Sequence, residues 1–171
     1  MDHPLARVIS EARGFLVIGD SSADRFPAMS YNAYTKTGRR FFCLDMGGRT
    51  VSRGGVKDGP VYTTVADLPP DRGDLAIVWV HPHRAAEAVE LAQQAGCKRI
   101  WFSFRSGHRD AVSRAREAGM EVVEIGRCPV YYLQADGIPG PCKAHTLITR
   151  LSGTWKRPPQ LEPDAKRREL W

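Results

Sequence analysis

The stretch Gly14-Phe15-Leu16-Val17-Ile18-Gly19-Asp20-Ser21-Ser22 decides how the rest of the chain is read. An apolar run ends at a glycine, and small polar residues follow. Arg25, Ser30 and Tyr31 come a few positions later, in a segment able to become a helix. A buried strand that opens into a turn before a helix presents main-chain N–H groups to an anion, and this is how doubly wound sheets hold nucleotide phosphates. The stretch points to a nucleotide-like ligand without specifying which. It lacks the dinucleotide pattern G-x-G-x-x-G, because Gly19 is followed by Asp20, Ser21, Ser22, Ala23 and Asp24.

Outward from this strand, apolar runs and helical stripes alternate. Leu5, Val8, Ile9 and Ala12 have the spacing of a short amphipathic helix. Residues 28–37 read as a helix closed by Gly38, and Arg40–Asp45 reads as a second strand. Residues 46–59 read as a loop rich in Gly, Arg and Ser. Val61–Tyr62 reads as an edge strand, and residues 64–68 as a helical turn stopped by Pro69 and Pro70.

Residues 75–80 are continuously apolar, as in a strand covered on both faces. Pro82 suits a first helical turn, and Ala85, Ala88, Val89 and Ala92 form a buried stripe ending near Gly96. Residues 99–104 form the next strand. Ala111, Val112, Ala115 and Ala118 form the next stripe, ending at Gly119, and residues 121–125 form the last strand. Strands separated by helices imply parallel pairing through crossovers. The expected fold is a single doubly wound α/β domain over residues 1–135, with a mainly parallel sheet of five or six strands. Residues 136–171 read as a Pro-rich and basic extension, with residues 146–151 able to form one helical turn or a strand: an irregular tail, or an arm that packs Trp155, Leu161 or Trp171 on a neighbouring subunit.

The chain has 171 residues and a formal net charge of +6. Residues 1–142 carry +2 of this and residues 143–171 carry +4, so the body is nearly neutral. A basic tail attracts phosphate non-specifically and is not a reading surface for nucleic acid. No apolar run approaches the roughly 20 residues of a membrane span, and the first residues lack the pattern of a signal peptide. Cys43, Cys97, Cys128 and Cys142 are scattered, with no Cys-x-x-Cys pair. The expectation is a cytoplasmic protein. No Gly-x-Ser-x-Gly elbow or Gly-Lys-Ser/Thr phosphate loop is present, and no catalytic centre emerges. His81 and His83 flank Pro82 but lack converging ligands of metal-site spacing, so they read as crevice-lining residues rather than metal ligands.

Several short motifs in one order now carry a resemblance. Residues 14–134 resemble the small stand-alone CoA-binding proteins of Rossmann-like fold, which are similar to the CoA-binding domain of the succinyl-CoA synthetase α subunit. Val17-Ile18-Gly19-Asp20-Ser21 is similar to that family's strand ending in Gly-Ala-Ser. Arg25 with Ser30-Tyr31 is similar to its Arg…Ser-Tyr. Val61-Tyr62 followed by Val65-Ala66-Asp67-Leu68-Pro69, then Gly96 to Trp101, and finally Gly126-Arg127-Cys128 match its later motifs in register. Met46-Gly47 stands where the family usually has Asn-Pro.

The resemblance implies a CoA or acyl-CoA ligand in the crevice beyond the carboxyl ends of the strands. It places the diphosphate over Gly19, Asp20, Ser21 and Ser22, with Arg25, Ser30 and Tyr31 at the first helix. Asp45, Met46, Gly47 and Arg49 with Val80, His81 and Pro82 would enclose adenine and ribose. The pantetheine would run toward Ser103 and Gly107. Arg49 or Arg53 is the expected cation for a 3′-phosphate, and Asp45 is expected to face a ribose hydroxyl or a backbone N–H. The implied partner is this small molecule, with neither nucleic acid nor membrane, and a homodimer is compatible. Two alternatives stand beside it: an NAD(P)-binding oxidoreductase-like protein with Asp45 on the ribose, and a subunit-interaction or regulatory module acting through the basic tail.

Overall fold

The computed structural model describes residues 3–25, 34, 38, 40–52, 59–133 and 140–163. Helix α1 (Pro4–Glu11) begins with proline at its first turn, and the His3 ring accepts the Leu5 N–H at 3.1 Å as its cap. Strand β1 (Gly14–Gly19) follows, buried at every position. Then come β2 (Arg40–Asp45), β3 (Val61–Tyr62), β4 (Leu75–Trp79), α2 (Ala85–Gln94), β5 (Arg99–Phe102), α3 (Arg109–Glu117) and β6 (Glu121–Ile125). The six strands form one sheet in the order β3-β2-β1-β4-β5-β6, and every neighbouring pair is parallel. This is a doubly wound, Rossmann-like sheet whose chain order reverses between β1 and β4.

Side chains alternate along each strand, so a continuous apolar run feeds two cores. Leu16, Ile18, Ala76, Val78, Ile100 and Phe102 pack with the alanine stripes of α2 and α3. Phe15, Val17, Leu75, Ile77 and Trp101 pack on the opposite face with Leu5 and Ile9 of α1.

The expected helix over residues 28–37 lies outside the described residues apart from Tyr34. That residue is helical and buried, and its ring stacks on Phe41 with centroids 5.2 Å apart. The strand expected over residues 99–104 stops at Phe102. The chain turns there, because the Ser106 N–H donates to the Ser103 carbonyl at 3.0 Å and Arg105 takes a left-handed φ of 57°.

The extension is more regular than expected over residues 140–156 and irregular after them. It carries helix α4 (Gly140–Leu151) and a 3-10 turn (Thr154–Lys156), then runs back along β6. The Ile125 N–H donates to the Gln160 carbonyl at 2.8 Å, and the Gln160 N–H donates to the Glu124 carboxylate at 2.7 Å. Arg127 pairs with Glu124 at 2.7 Å and donates to the carbonyls of Arg157 and Pro158. Both members of this pair are at most 1% exposed. The His3 Nε2 donates to the Arg157 carbonyl at 2.8 Å, and the Tyr132 hydroxyl to that of Trp155 at 3.2 Å. Residues 154–160 therefore lie on the chain's own body. Leu161 is 46% exposed, and Trp171 lies outside the described residues.

Candidate functional site

Parallel pairing brings the carboxyl ends of β1, β2, β4 and β5 to one edge of the sheet, and in open sheets of this kind the crevice where the strand order reverses is where ligands bind. Beyond β1, residues 20–25 close into a tight loop. Arg25 N–H donates to the Asp20 carbonyl at 2.8 Å, and Asp24 supplies a left-handed residue at φ 53°. The loop contains a single 3-10 turn (Ser21–Ala23) capped by Asp20.

Two buried carboxylates hold this loop. Asp20 accepts the Ser22 N–H at 3.1 Å, the Ser22 hydroxyl at 2.6 Å and Arg84 Nη1 at 2.7 Å. Burial opposes its ionisation, but the Ser22 hydroxyl and the Arg84 guanidinium prevail and hold the carboxyl below its ordinary range. Asp45, at the end of β2, accepts the Ser21 N–H at 2.8 Å, the Ser21 hydroxyl at 2.7 Å and the Arg49 N–H at 2.7 Å. The expected backbone N–H partner of Asp45 is present, and it comes from the β1 turn itself.

Met46 N–H donates to the Gly19 carbonyl at 2.8 Å, drawing the β2 loop onto the turn. Gly47 then lies directly against it: a Cβ there would be 2.4 Å from the Ser22 nitrogen and 2.5 Å from the Ser21 hydroxyl oxygen. No side chain fits at that position without moving backbone.

On the other side of the crevice, His81 and Pro82 follow β4, and Pro82 opens a 3-10 turn (Pro82–Arg84). Arg25 reaches across to the β5 loop. Its Nη2 donates to the Phe104 carbonyl at 2.6 Å and to the Ser106 hydroxyl at 3.4 Å, and its guanidinium carbon lies 5.4 Å from the Trp79 ring centroid. Arg25, His81, Pro82 and Arg105 line a cavity of about 400 Å³. Gly107 passes so close to Ile125 that a Cβ would be 2.4 Å from its Cγ2.

Not every expected lining residue faces this space. Val80 is 0% exposed and belongs to the core beneath the crevice. Ser103 is also 0% exposed, with its N–H on the Val78 carbonyl and its hydroxyl without a hydrogen-bond partner among the described residues. Ser30, Tyr31 and Arg53 lie outside the described residues. Arg84 was invisible in the sequence pattern, because only the sheet brings it to Asp20.

His81 and His83 meet Nδ1 to Nδ1 at 2.7 Å, and both are exposed. One ring donates a proton and the other accepts it. Among the described residues no group of three or more His, Cys, Asp or Glu is placed to hold a metal ion. Cys43, Cys97 and Cys128 are buried. Burial pushes the Cys43 thiol far up and the Cys97 thiol to about 12, so neither offers a thiolate near neutral pH. No helix among the described residues is long and apolar enough to cross a membrane.

Comparison with known proteins matches this architecture. A search of curated proteins found no match. Among solved structures, a hypothetical protein from Pyrococcus horikoshii OT3 superposes with a TM-score of 0.62 at 22% identity, covering 75% of this chain and 86% of that one. A protein from Thermus thermophilus gives 0.55 at 20% identity, covering 75% of this chain and 92% of that one. A conserved hypothetical protein from Pyrococcus furiosus gives 0.53 at 21% identity, covering 69% and 97%. At such identities these likenesses speak for the fold. The family signature described as CoA binding domain matches residues 13–134, which take in all six strands. The chain belongs to this CoA binding domain family.

Proposed function

We propose that the protein binds coenzyme A or an acyl-CoA in the crevice between the β1 turn and the loops after β4 and β5, without a catalytic centre of its own. The observation that carries this reading is the CoA binding domain over residues 13–134, whose strand-end loops converge at the reversal between β1 and β4. Ser22, Arg25, Met46, Gly47, His81, Pro82 and Gly107 all lie on those loops, and Gly19 ends β1 at their base. The reading extends to a cytoplasmic protein with reduced cysteines.

The nicotinamide alternative needs a carboxylate at the end of β2 for the ribose hydroxyls. Asp45 stands there, but three donors from the protein already occupy its two oxygens.

Calorimetric and thermal-shift titrations with CoA, acetyl-CoA, NAD and NADP test the reading. CoA at about 100 times its Kd should add roughly 2.7 kcal/mol of stability. Stabilisation by NAD and none by CoA overturns it. Mass spectrometry of gently purified protein would identify a ligand carried through purification and report the acyl group directly.

A further inference from the structure

We propose that the phosphate-bearing part of the ligand sits in the cleft bounded by Arg25, His81, Pro82 and Arg105, and that Asp20 and Asp45 close the turn above β1 to it. The proposal rests on the coenzyme A reading and assigns where that ligand's anionic groups lie. Three observations support it.

The first is the fate of the donors. The main-chain N–H groups of Ser21, Ser22, Asp24 and Arg25 all have acceptors within the protein: Asp45, Asp20, the Ser21 carbonyl and the Asp20 carbonyl. The hydroxyls of Ser21 and Ser22 donate to the same two carboxylates. A diphosphate laid on this turn would displace those bonds and sit beside two buried negative charges.

The second is space. Gly47 lies against the amides of residues 21 and 22, leaving no gap for even a methyl group. At a phosphate-holding helix start the backbone N–H groups point at the ligand; these two point at Asp45 and Asp20.

The third is where the cations point. Arg25 is drawn from the turn toward the β5 loop by the Phe104 carbonyl and the Trp79 ring. Arg105 is exposed on that same β5 loop and lines the cavity with Arg25, as does His81. Two guanidinium groups lining one cavity suit the charge and the forked geometry of phosphate oxygens. A volume of about 400 Å³ falls within the usual range for small-molecule sites.

The test uses the full chain, ¹⁵N-labelled, with two probes added separately: CoA and inorganic pyrophosphate. The Arg105 Nε, His81 ring and Gly107 amide signals should move with both probes, while the Ser21 and Ser22 amides stay in place. Arg105→Gln, at an exposed position that leaves the fold intact, should weaken both probes at least tenfold. Dephospho-CoA binding as tightly as CoA would assign the cleft to the diphosphate; a tenfold loss would assign it to the 3′-phosphate, and either agrees with the proposal. CoA binding with shifts confined to Ser21 and Ser22, and with Arg105→Gln like wild type, overturns the proposal while the coenzyme reading stands. Pyrophosphate moving the cleft signals without any CoA binding supports the cleft and overturns the coenzyme reading. Binding of neither probe overturns both.

Discussion

Asp45→Asn changes one atom in the contact that joins β1 to β2. The wild-type carboxylate takes the Ser21 N–H on one oxygen and the Ser21 hydroxyl and Arg49 N–H on the other. An asparagine oxygen keeps only one of these sets. If it keeps the Ser21 N–H, the amide nitrogen meets a hydroxyl that can rotate to accept and a main-chain N–H that cannot. One buried donor then faces another donor, and a charge-assisted pair becomes neutral. At about 1–3 kcal/mol for a stranded buried donor plus the weakened pair, the expected loss is about 2–4 kcal/mol. For a chain of this size that corresponds to a Tm lower by roughly 5–15 °C, at about 2–4 °C per kcal/mol. Urea unfolding and calorimetry at neutral pH, with no ligand added, measure it. The Arg49 amide should also lose hydrogen-exchange protection. A Tm within about 1 °C of wild type, with that amide still protected, refutes the view that this carboxylate staples the turn.

Arg127→Met leaves Glu124 buried without its cation, and the expected cost is about 3–5 kcal/mol. Limited proteolysis should then cut after Arg150 or Lys156 before the body unfolds, and pairing the change with Glu124→Gln should recover part of the loss. His3 is held neutral, mainly by burial, so its folded pKa lies below the ordinary 6.5. The unfolded chain binds more protons in the window between the two values. The stability from His3 is therefore complete above about pH 6.5 and fades as pH falls through the lowered value. Denaturation at pH 7.5 and pH 5 should show this slope, and His3→Gln should flatten it. Cys97, with its thiol near 12, should resist a thiol reagent in the native protein at neutral pH and react only on addition of denaturant.

The strands were legible because a sheet covered on both faces writes its core as unbroken apolar runs, as in Phe15 to Ile18 and Leu75 to Val78. The same logic carried β5 too far, because Phe104 continues the apolar run while the backbone has already turned at Arg105. The location of the crevice could be read from the strand ends. The partners within it could not. Ser21 and Asp45 are 24 residues apart, Asp20 and Arg84 are 64, and Arg25 and Phe104 are 79. Only the sheet order brings these groups together. Val80 shows the limit of reading by position, since a residue one step past a strand end faces either core or crevice and the sequence does not say which. The extension shows another limit. Pro158 and Pro159 are incompatible with a helix there and residues 158–160 form neither helix nor strand, yet the carbonyls of Arg157 and Pro158 are what Arg127 grips.

That grip separates two boundaries that are easily taken as one. The CoA binding domain signature ends at residue 134, before the segment that answers Glu124, Arg127 and His3. A fragment trimmed to the signature would bare a salt-bridged pair to water, strip the Ile125 amide of its acceptor and remove the helix cap that precedes β1. For expression or ligand screening, the smallest usable piece should therefore reach from His3 through Gln160.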